Sequence, residues 1–363
     1  MENVVNVNCL SFRFHNKEHP MLYAGCDLHK QTISVCVMNP ARQVIKRERL
    51  LCANEEAIRR FFEELGEFEA VVEATASYEW FVRLIEPFAQ RVVLAHPKKL
   101  RVIAESTRKS DRLDAQVLAE FLALDMVPAS YRPTPRQREH RQLVRQRERV
   151  QRRITSVKNR IRRMLADYNT DRPGLFSAEG QAFLKRVLLS QADRFTMNQF
   201  LEEYDFARRQ LKEAEQQIQA FAAQGPVRER EQRELLRTIP GVGFVTAEVI
   251  LAELADVTRF RSQSQVVAYA GLAPGQRESA GKTQELHLEK TGSKLLRSTM
   301  VEAAWRLVRH SPRWKGIFEK LKVRIRSKKA IVAIARRQLT LVAAILQTGR
   351  PYSASYVPGQ AAA

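Results

Sequence analysis

The chain has 363 residues, 44 % of them hydrophobic, with 61 Lys+Arg against 40 Asp+Glu and a formal charge of +21. That length accommodates two or three domains with real cores, and the charge points to a polyanionic partner, most simply nucleic acid. Residues 1–20 lack the apolar core of a signal peptide, and the best candidate span, residues 330–347, is interrupted by Arg336-Arg337, which speaks against a membrane protein.

The four cysteines, Cys9, Cys26, Cys36 and Cys52, form no CxxC pair. A zinc site is therefore not expected, and a reduced, cytoplasmic setting is. The positive charge is unevenly spread. Residues 1–130 hold 17 basic and 18 acidic residues, while 131–363 hold 44 and 22.

Residues 1–20 are expected to be a flexible extension. From residue 21 to about 130 strand and helix signals alternate. Leu22 to Cys26 reads as a first strand, Thr32 to Met38 as a second and Val44 to Leu50 as a third, more polar one, the three forming an antiparallel meander. Glu55 to Leu65 has the pattern of an amphipathic helix, Ala70-Val71-Val72 of a short buried strand, Tyr78 to Phe88 of a helix and Arg91 to Ala95 of a fifth strand. A helix carrying Asp111 and Asp114 is expected to run to about Leu124. This β-β-β-α-β-α-β-α order predicts a mixed sheet flanked by helices.

The character changes in residues 131–224. Leu143, Val150, Ile154, Val157, Ile161, Met164 and Tyr168 recur at coiled-coil steps. Residues 136–163 contain 12 Lys+Arg and two Glu, a long basic helix. Most such runs are solvated helix faces; this one is too one-sided to compensate itself, so Arg152, Arg153 and Lys158 are candidates for nucleic-acid contact. Asp171-Arg172-Pro173-Gly174 breaks the pattern, and a second helix from about Asn198 to Ala222 completes an antiparallel arm.

Residues 225–350 read as a mainly helical domain. Glu234 to Thr238, then Ile239-Pro240-Gly241-Val242-Gly243, then Thr246 to Leu254 has a helix-hairpin-helix pattern. There, Gly241 and Gly243 would let backbone amides approach a phosphate, although an ordinary apolar helical turn has the same look. A glycine-containing loop is expected from Gly271 to Gly292, helices from about Lys294 to Val308 and Ser327 to Leu346, and a disordered tail over residues 351–363.

Four carboxylates carry the chemistry. Asp27 and Glu73 end apolar strands, and Asp111 and Asp114 are three apart on one helix face. Each falls where an RNase-H-like fold would place a metal ligand. Two such charges about 5 Å apart repel by roughly 3 kcal/mol at an effective dielectric near 20, so a cluster stays ionised when a cation holds it. Hard oxygen donors suit magnesium, with manganese as the alternative ion, and phosphodiester chemistry. Read singly, each acid is an ordinary surface carboxylate. His29, next to Asp27, is more simply structural than a base, and Arg108 and Lys109 could meet backbone phosphates or balance charge.

The segments Gly25-Cys26-Asp27-Leu28-His29-Lys30, Val72-Glu73-Ala74-Thr75 and Lys109-Ser110-Asp111-Arg112-Leu113-Asp114-Ala115 resemble the three blocks of the DEDD transposases of bacterial insertion sequences, the "one-ten" family that includes Piv-type DNA invertases. Ile239-Pro240-Gly241-Val242-Gly243, Tyr269-Ala270-Gly271-Leu272-Ala273-Pro274 and Ser279-Ala280-Gly281-Lys282 are similar to its C-terminal blocks. The likeness runs from about residue 21 to 350. It implies a RuvC-like, RNase-H-type catalytic domain with Asp27, Glu73, Asp111 and Asp114 as Mg²⁺ ligands, a coiled-coil middle, and a C-terminal transposase domain.

By motif match the resemblance also makes Ser279 a nucleophile that forms a covalent phosphoserine link to DNA, with Lys282 beside it to hold the scissile phosphate. It implies dimers that assemble to tetramers and a structured guide RNA. Two positions depart from the family pattern: Ala280 follows the serine where Ser or Gly is common, and no glycine lies near Leu286-His287-Leu288. Ser262, Ser293 and Ser298 are lesser rivals for the nucleophile. The alternatives are a magnesium-dependent, junction-resolvase-like endonuclease in which water attacks, and a non-catalytic nucleic-acid-binding remnant.

Overall fold

The computed structural model describes residues 21–74, 77–97, 99–100, 111–279, 282–288 and 292–353, with residues 111–113, 276–279 and 282–287 described by their backbone alone. The expected extension over residues 1–20 and most of the expected tail lie outside these, as do Arg108 and Lys109. The chain divides into two compact units between Arg132 and Pro133.

The first unit is built on a five-stranded mixed sheet in the order β3-β2-β1-β4-β5. Strands β1 (Leu22–Leu28), β2 (Thr32–Met38) and β3 (Val44–Leu51) form the antiparallel meander, while β4 (Phe68–Glu73) and β5 (Arg91–Ala95) add in parallel to β1. Side chains alternate across a strand. Ala24, Cys26 and Leu28 of β1, with Val72 of β4, enter a core closed by helices α1 (Glu55–Glu63) and α2 (Tyr78–Ile85), where Phe62, Phe68 and Phe81 are fully buried. The opposite face packs Cys36, Met38 and Val71 with Ala115, Leu118, Ala119 and Leu122 of α3 (Asp111–Ala123). Helix α1 starts where Asn54 accepts the Ala57 amide, with Glu55 and Glu56 at the positive end of its dipole.

The second unit is helical. Helix α4 (Pro135–Asp167) opens with a capping box between Thr134 and Gln137 and Pro135 at its first position. It runs antiparallel to α6 (Gln191–Ala223): Arg147 pairs with Glu215, Arg153 with Glu203, and Tyr168 with Asp193. The expected seam is buried at Val150, Ile154, Val157 and Ile161; toward its ends burial passes to the neighbouring Val144 and Leu165, with Leu143 and Met164 at the border. A short helix α5 (Ala178–Arg186), capped by Ser177, fills the link and buries Leu184.

Helices α7 (Val227–Arg237), α8 (Phe244–Leu254), α9 (Gln263–Tyr269), α10 (Lys294–His310) and α11 (Pro312–Thr348) share one large core. The expected loop over 271–292 is instead a two-stranded hairpin of β6 (Pro274–Ser279) and β7 (Lys282–Leu288). Its sequence is too polar to show apolar alternation, and pairing with its own return strand defines it. Helix α11 begins 15 residues before the expected start at Ser327, because Ser311-Pro312 opens a helix that continues, kinked at Arg326 (φ 63°, ψ 160°), into the apolar half. Of the described helices, α11 is the one long and apolar enough to cross a membrane, but 67 % of its apolar window is buried inside the unit.

A buried ionic network fastens α4 to the C-terminal helices. His140 Nε2 lies 2.9 Å from Glu248 Oε2, and Arg233 donates to the same carboxylate from α7. One and a half turns along, Arg145 Nε donates to Glu253 Oε1 at 2.8 Å, and Arg141 donates to the carbonyls of Ala252 and Glu253 at the end of α8. Burial by itself raises both carboxyls, but hydrogen bonds from His140 and Arg233 hold Glu248, and those from Arg145 hold Glu253, below the ordinary glutamate range.

A carboxyl depressed in the folded state contributes stability that is complete above its unfolded pKa and lost as pH falls through the lower folded value. Stability from urea unfolding should therefore hold steady above roughly pH 5 and decline as pH falls below about 4.3. Glu253→Gln should flatten that decline; an equally steep acid limb in the variant would count against the network.

Candidate active site

Asp27 is next to last in β1 and only 6 % exposed. Glu73 ends β4 and is half-buried. The last paired row between these parallel strands is Cys26↔Val72, so Asp27 and Glu73 stand one step beyond it, at the same end of adjacent strands. Strands lie about 4.8 Å apart, and the alternation that turns Cys26 and Val72 to one core turns both acids to the face covered by α3.

A glycine brings that helix in. An ideal Cβ at Gly25 would overlap the Ala115 carbonyl oxygen and the Ala119 amide nitrogen and touch Leu118 Cβ. The backbones of β1 and α3 therefore meet at Gly25, a contact that no other residue permits. Asp27 is two residues from this contact along the strand, about 6.6 Å. Asp111 is one turn from Ala115 along the helix, about 6 Å. Asp114, adjacent to the contact, is exposed, and the Asp111 side chain lies outside the described residues.

Asp27 Oδ2 lies 3.0 Å from His29 Nε2. His29 is positioned by the bend after β1, where its amide donates to the Thr32 carbonyl at 2.9 Å. Burial pushes the neighbouring Cys26 thiol far up, and the Asp27 charge adds to the shift, so this cysteine stays protonated beside the acid. Among the described residues no three His, Cys, Asp or Glu side chains form a group able to hold a metal ion. All the candidate donors at these strand ends and on α3 are carboxylate oxygens, a donor set that fits a hard divalent cation.

In the second unit Ser279 ends β6 and Lys282 begins β7, and the two are paired Cα partners across residues 280–281. Their side chains lie outside the described residues. The hairpin base is fixed where Ser293 N donates to the Tyr269 carbonyl at 2.8 Å, and where a Cβ at Gly292 would overlap that same carbonyl. The other serines have structural tasks. Ser262 caps α9, Ser293 caps α10 while donating to Glu253 Oε2 at 3.0 Å, and Ser298 Oγ donates to the Leu295 carbonyl within α10.

The turn joining α7 to α8 buries Ile239 and Val242. Gly241 has φ +83°, and a Cβ there would lie 2.7 Å from Arg306 Cβ, so this glycine seats the turn on α10. Gly243, the residue before α8, has open space around it. It borders a cleft of about 770 Å³ whose wall includes the first residues of α8 with Arg147, Glu148 and Arg306.

The basic face of α4 is largely neutralised. Arg136, Arg145, Arg147, Arg152, Arg153, Arg160 and Arg162 each pair with a carboxylate, five of these from outside the helix's own two glutamates by way of Glu203, Glu215, Glu229, Glu253 and Asp171. Lys158 sits over the Phe176 and Tyr204 rings. The run does not compensate itself; the acids that meet these arginines lie mostly outside the helix, far away in sequence. Gly25 is the positioning residue that spacing alone did not single out; its place two before Asp27 was visible, its contact with α3 was not.

A transposase family model of the DEDD, IS110 type matches residues 24–170, and the model of the transposase IS116/IS110/IS902 family matches residues 233–319. The chain is 25 % identical over 345 residues to a transposase for insertion sequence element IS1111A of Coxiella burnetii, covering 90 % of each chain. It is 24 % identical over 291 residues to a transposase for insertion sequence element IS1328 of Yersinia enterocolitica, covering 77 % of this chain and 82 % of the other. It is 31 % identical over 121 residues to a pilin gene-inverting protein of Moraxella bovis, covering 32 % of this chain and 38 % of the other.

Replacing Gly25 by Ala should push α3 off the sheet. Overpacking of this kind costs about 1–3 kcal/mol. Urea unfolding should show that loss, and hydrogen exchange should rise in α3 but not in β2–β3; a wild-type exchange pattern would show that the contact does not hold the helix.

Proposed function

Because the chain belongs to the IS116/IS110/IS902 transposase family, enzymes that cut and rejoin DNA, we propose that its first unit is a RuvC-like, RNase-H-type catalytic domain in which Asp27, Glu73, Asp111 and Asp114 hold Mg²⁺, and that Ser279 is the nucleophile. The observation that carries this reading is the convergence at Gly25: two strand-end carboxylates beside a helix that begins with Asp111 and Asp114.

Magnesium bound there would neutralise charge on the phosphate and lower the proton affinity of an attacking hydroxyl. The chain's own part is nucleophilic. Ser279 Oγ loses its proton and bonds to phosphorus, the P–O bond to one DNA strand breaks, and the departing DNA oxygen takes up a proton. Attack by a DNA hydroxyl on the phosphoserine reverses the exchange and rejoins the strands. Lys282, the register partner of Ser279, would neutralise the phosphate at the hairpin tip. His29, already on Asp27, would orient that carboxylate; Arg108, Lys109, Arg152, Arg153 and Lys158 would meet the sugar–phosphate backbone, and Gly243 would admit it to the start of α8.

The acids and the serine belong to different units, so cleavage would depend on assembly of dimers into a tetramer around DNA, with a structured guide RNA pairing to donor and target. A cytoplasmic setting follows from a DNA substrate. The full-length likeness to transposases of insertion sequences supports this reading, and the match to a pilin gene-inverting protein extends it to inversion as a possible outcome of the same strand exchange.

Ser279→Ala should abolish the covalent protein–DNA adduct, a loss of at least ~10³-fold expected for a removed nucleophile, while leaving DNA binding intact. Cleavage that persists in the variant would instead favour a water-attacking endonuclease. Asp27→Asn should weaken Mg²⁺ binding by calorimetry and suppress cleavage; equal affinity in both proteins would remove Asp27 from the metal site.

A further inference from the structure

The most strongly charged surface left without carboxylate partners lies on the first half of α11. Between residues 312 and 329 there are eight basic residues and one acid, Glu319. Lys322 pairs with Glu319 at 3.2 Å. Among the described residues, the side chains of Lys315, Lys320, Arg324, Arg326, Lys328 and Lys329 have no ion pair, hydrogen bond or ring contact, and all six residues are exposed. This is the opposite of α4, whose charge is met by acids across the unit.

Three features of the same stretch point outward. Gly316 lies inside the helix with nothing within 4 Å of an added Cβ, so no packing accounts for a residue that weakens helices. Val323, within the same stretch, is 88 % exposed. Arg326 holds a backbone conformation that is ordinarily glycine's, which turns the helix three residues before the end of the charged stretch. Below it Trp314 and Phe318 anchor the helix in the core, so the charges stand on a fixed scaffold.

We infer that the outer face of α11 from Lys315 to Lys329 is a binding surface for the sugar–phosphate backbone of duplex DNA, separate from the residues assigned above. Lysines dominate it, and these compact charges on flexible stems grip backbone phosphates without reading bases. The glycine lets a phosphate come close to the helix, and the kink curves the row of charges. An anionic membrane is a poor match, since one exposed valine offers little apolar surface to bury. The inference rests on the reading of the chain as a DNA-processing enzyme, and adds where duplex outside the cleavage site is held.

The test compares the full chain with the variant Lys315→Gln/Lys320→Gln/Arg324→Gln/Lys328→Gln by fluorescence anisotropy, using a duplex of arbitrary sequence between 50 and 200 mM salt. Each lost phosphate contact lowers the slope of log K against log[salt] by about 0.9, so four lost contacts should lower it by about 3.6, with a loss of at least ~10-fold in affinity at the lower salt. An unchanged melting temperature should show that the fold is intact, and a variant with Lys→Arg at 315, 320 and 328 should bind as wild type. An unchanged slope and affinity would overturn the inference, as would a loss confined to structured RNA or to phosphatidylglycerol vesicles. Wild-type protein that binds duplex through α11 yet never cleaves DNA would sink the proposed activity and leave this surface standing.

Discussion

The meeting of two backbones at Gly25 is the constraint on which the candidate site depends. Carboxylates at strand ends are common, and two of them side by side repel. They become a site when a third element is held close enough to add ligands. Ordinary helix-on-sheet packing keeps an intervening layer of side chains, about 10 Å thick between element axes. At Gly25 that layer is missing, because Ala115 and Ala119 present a small helical face and the glycine presents none. Leu118 and Leu122 on one side and Cys36 and Met38 on the other then fix the helix laterally. The apolar packing orders the acids, and the acids themselves contribute nothing to it.

In the second unit the organising force is ionic. Arg and Glu side chains that look like a surplus of charge along α4 are used to bind helix to helix. Removing one partner of such a buried pair strands the other, which is why these networks destabilise sharply when broken even where their net contribution is small. The network also sits close to the hairpin: Glu253 accepts from both Arg145 and Ser293, and Ser293 starts α10 directly after the hairpin's return strand. The base of the strand pair that carries Ser279 is thus tied through two hydrogen bonds to α4.

Much of the first unit was legible in the sequence because β1, β2, β4 and β5 are short apolar runs, with Asp27 and Glu73 at or next to the ends of β1 and β4. Helix α4 was legible from its period: Val150, Ile154, Val157 and Ile161 are buried as the pattern has them, and only toward the ends does burial slip by one residue, to Val144 and Leu165, since a helix of 3.6 residues per turn drifts against a strict heptad. What sequence could not show was pairing over distance. Arg145 and Glu253 are 108 positions apart, so the run around residue 150 read as free charge. The hairpin of β6 and β7 was hidden because its sequence is mostly polar, so no apolar alternation marks its strands. The early start of α11 was masked by glycine, proline and a dense row of basic residues between Val308 and Ser327.

Charge bookkeeping over the whole chain gives the arrangement its sense. A nearly neutral domain offers a phosphate no net attraction, and at about 8 Å screening length its acids at the strand ends repel one only at close range. Attraction must therefore come from elsewhere in the chain, and nearly all of the excess positive charge lies beyond residue 130. Within that region the cations of α4 are mostly committed to holding helices together, whereas those of α11 are not. A charge already paired with a carboxylate must give up that partner before it can bind a phosphate, while an unpartnered one only sheds counterions. Density of basic residues along a sequence is thus an incomplete guide to where a polyanion binds; density of unsatisfied ones in the folded chain is the better guide, and by it the kinked helix joins the long arm as a place of grip.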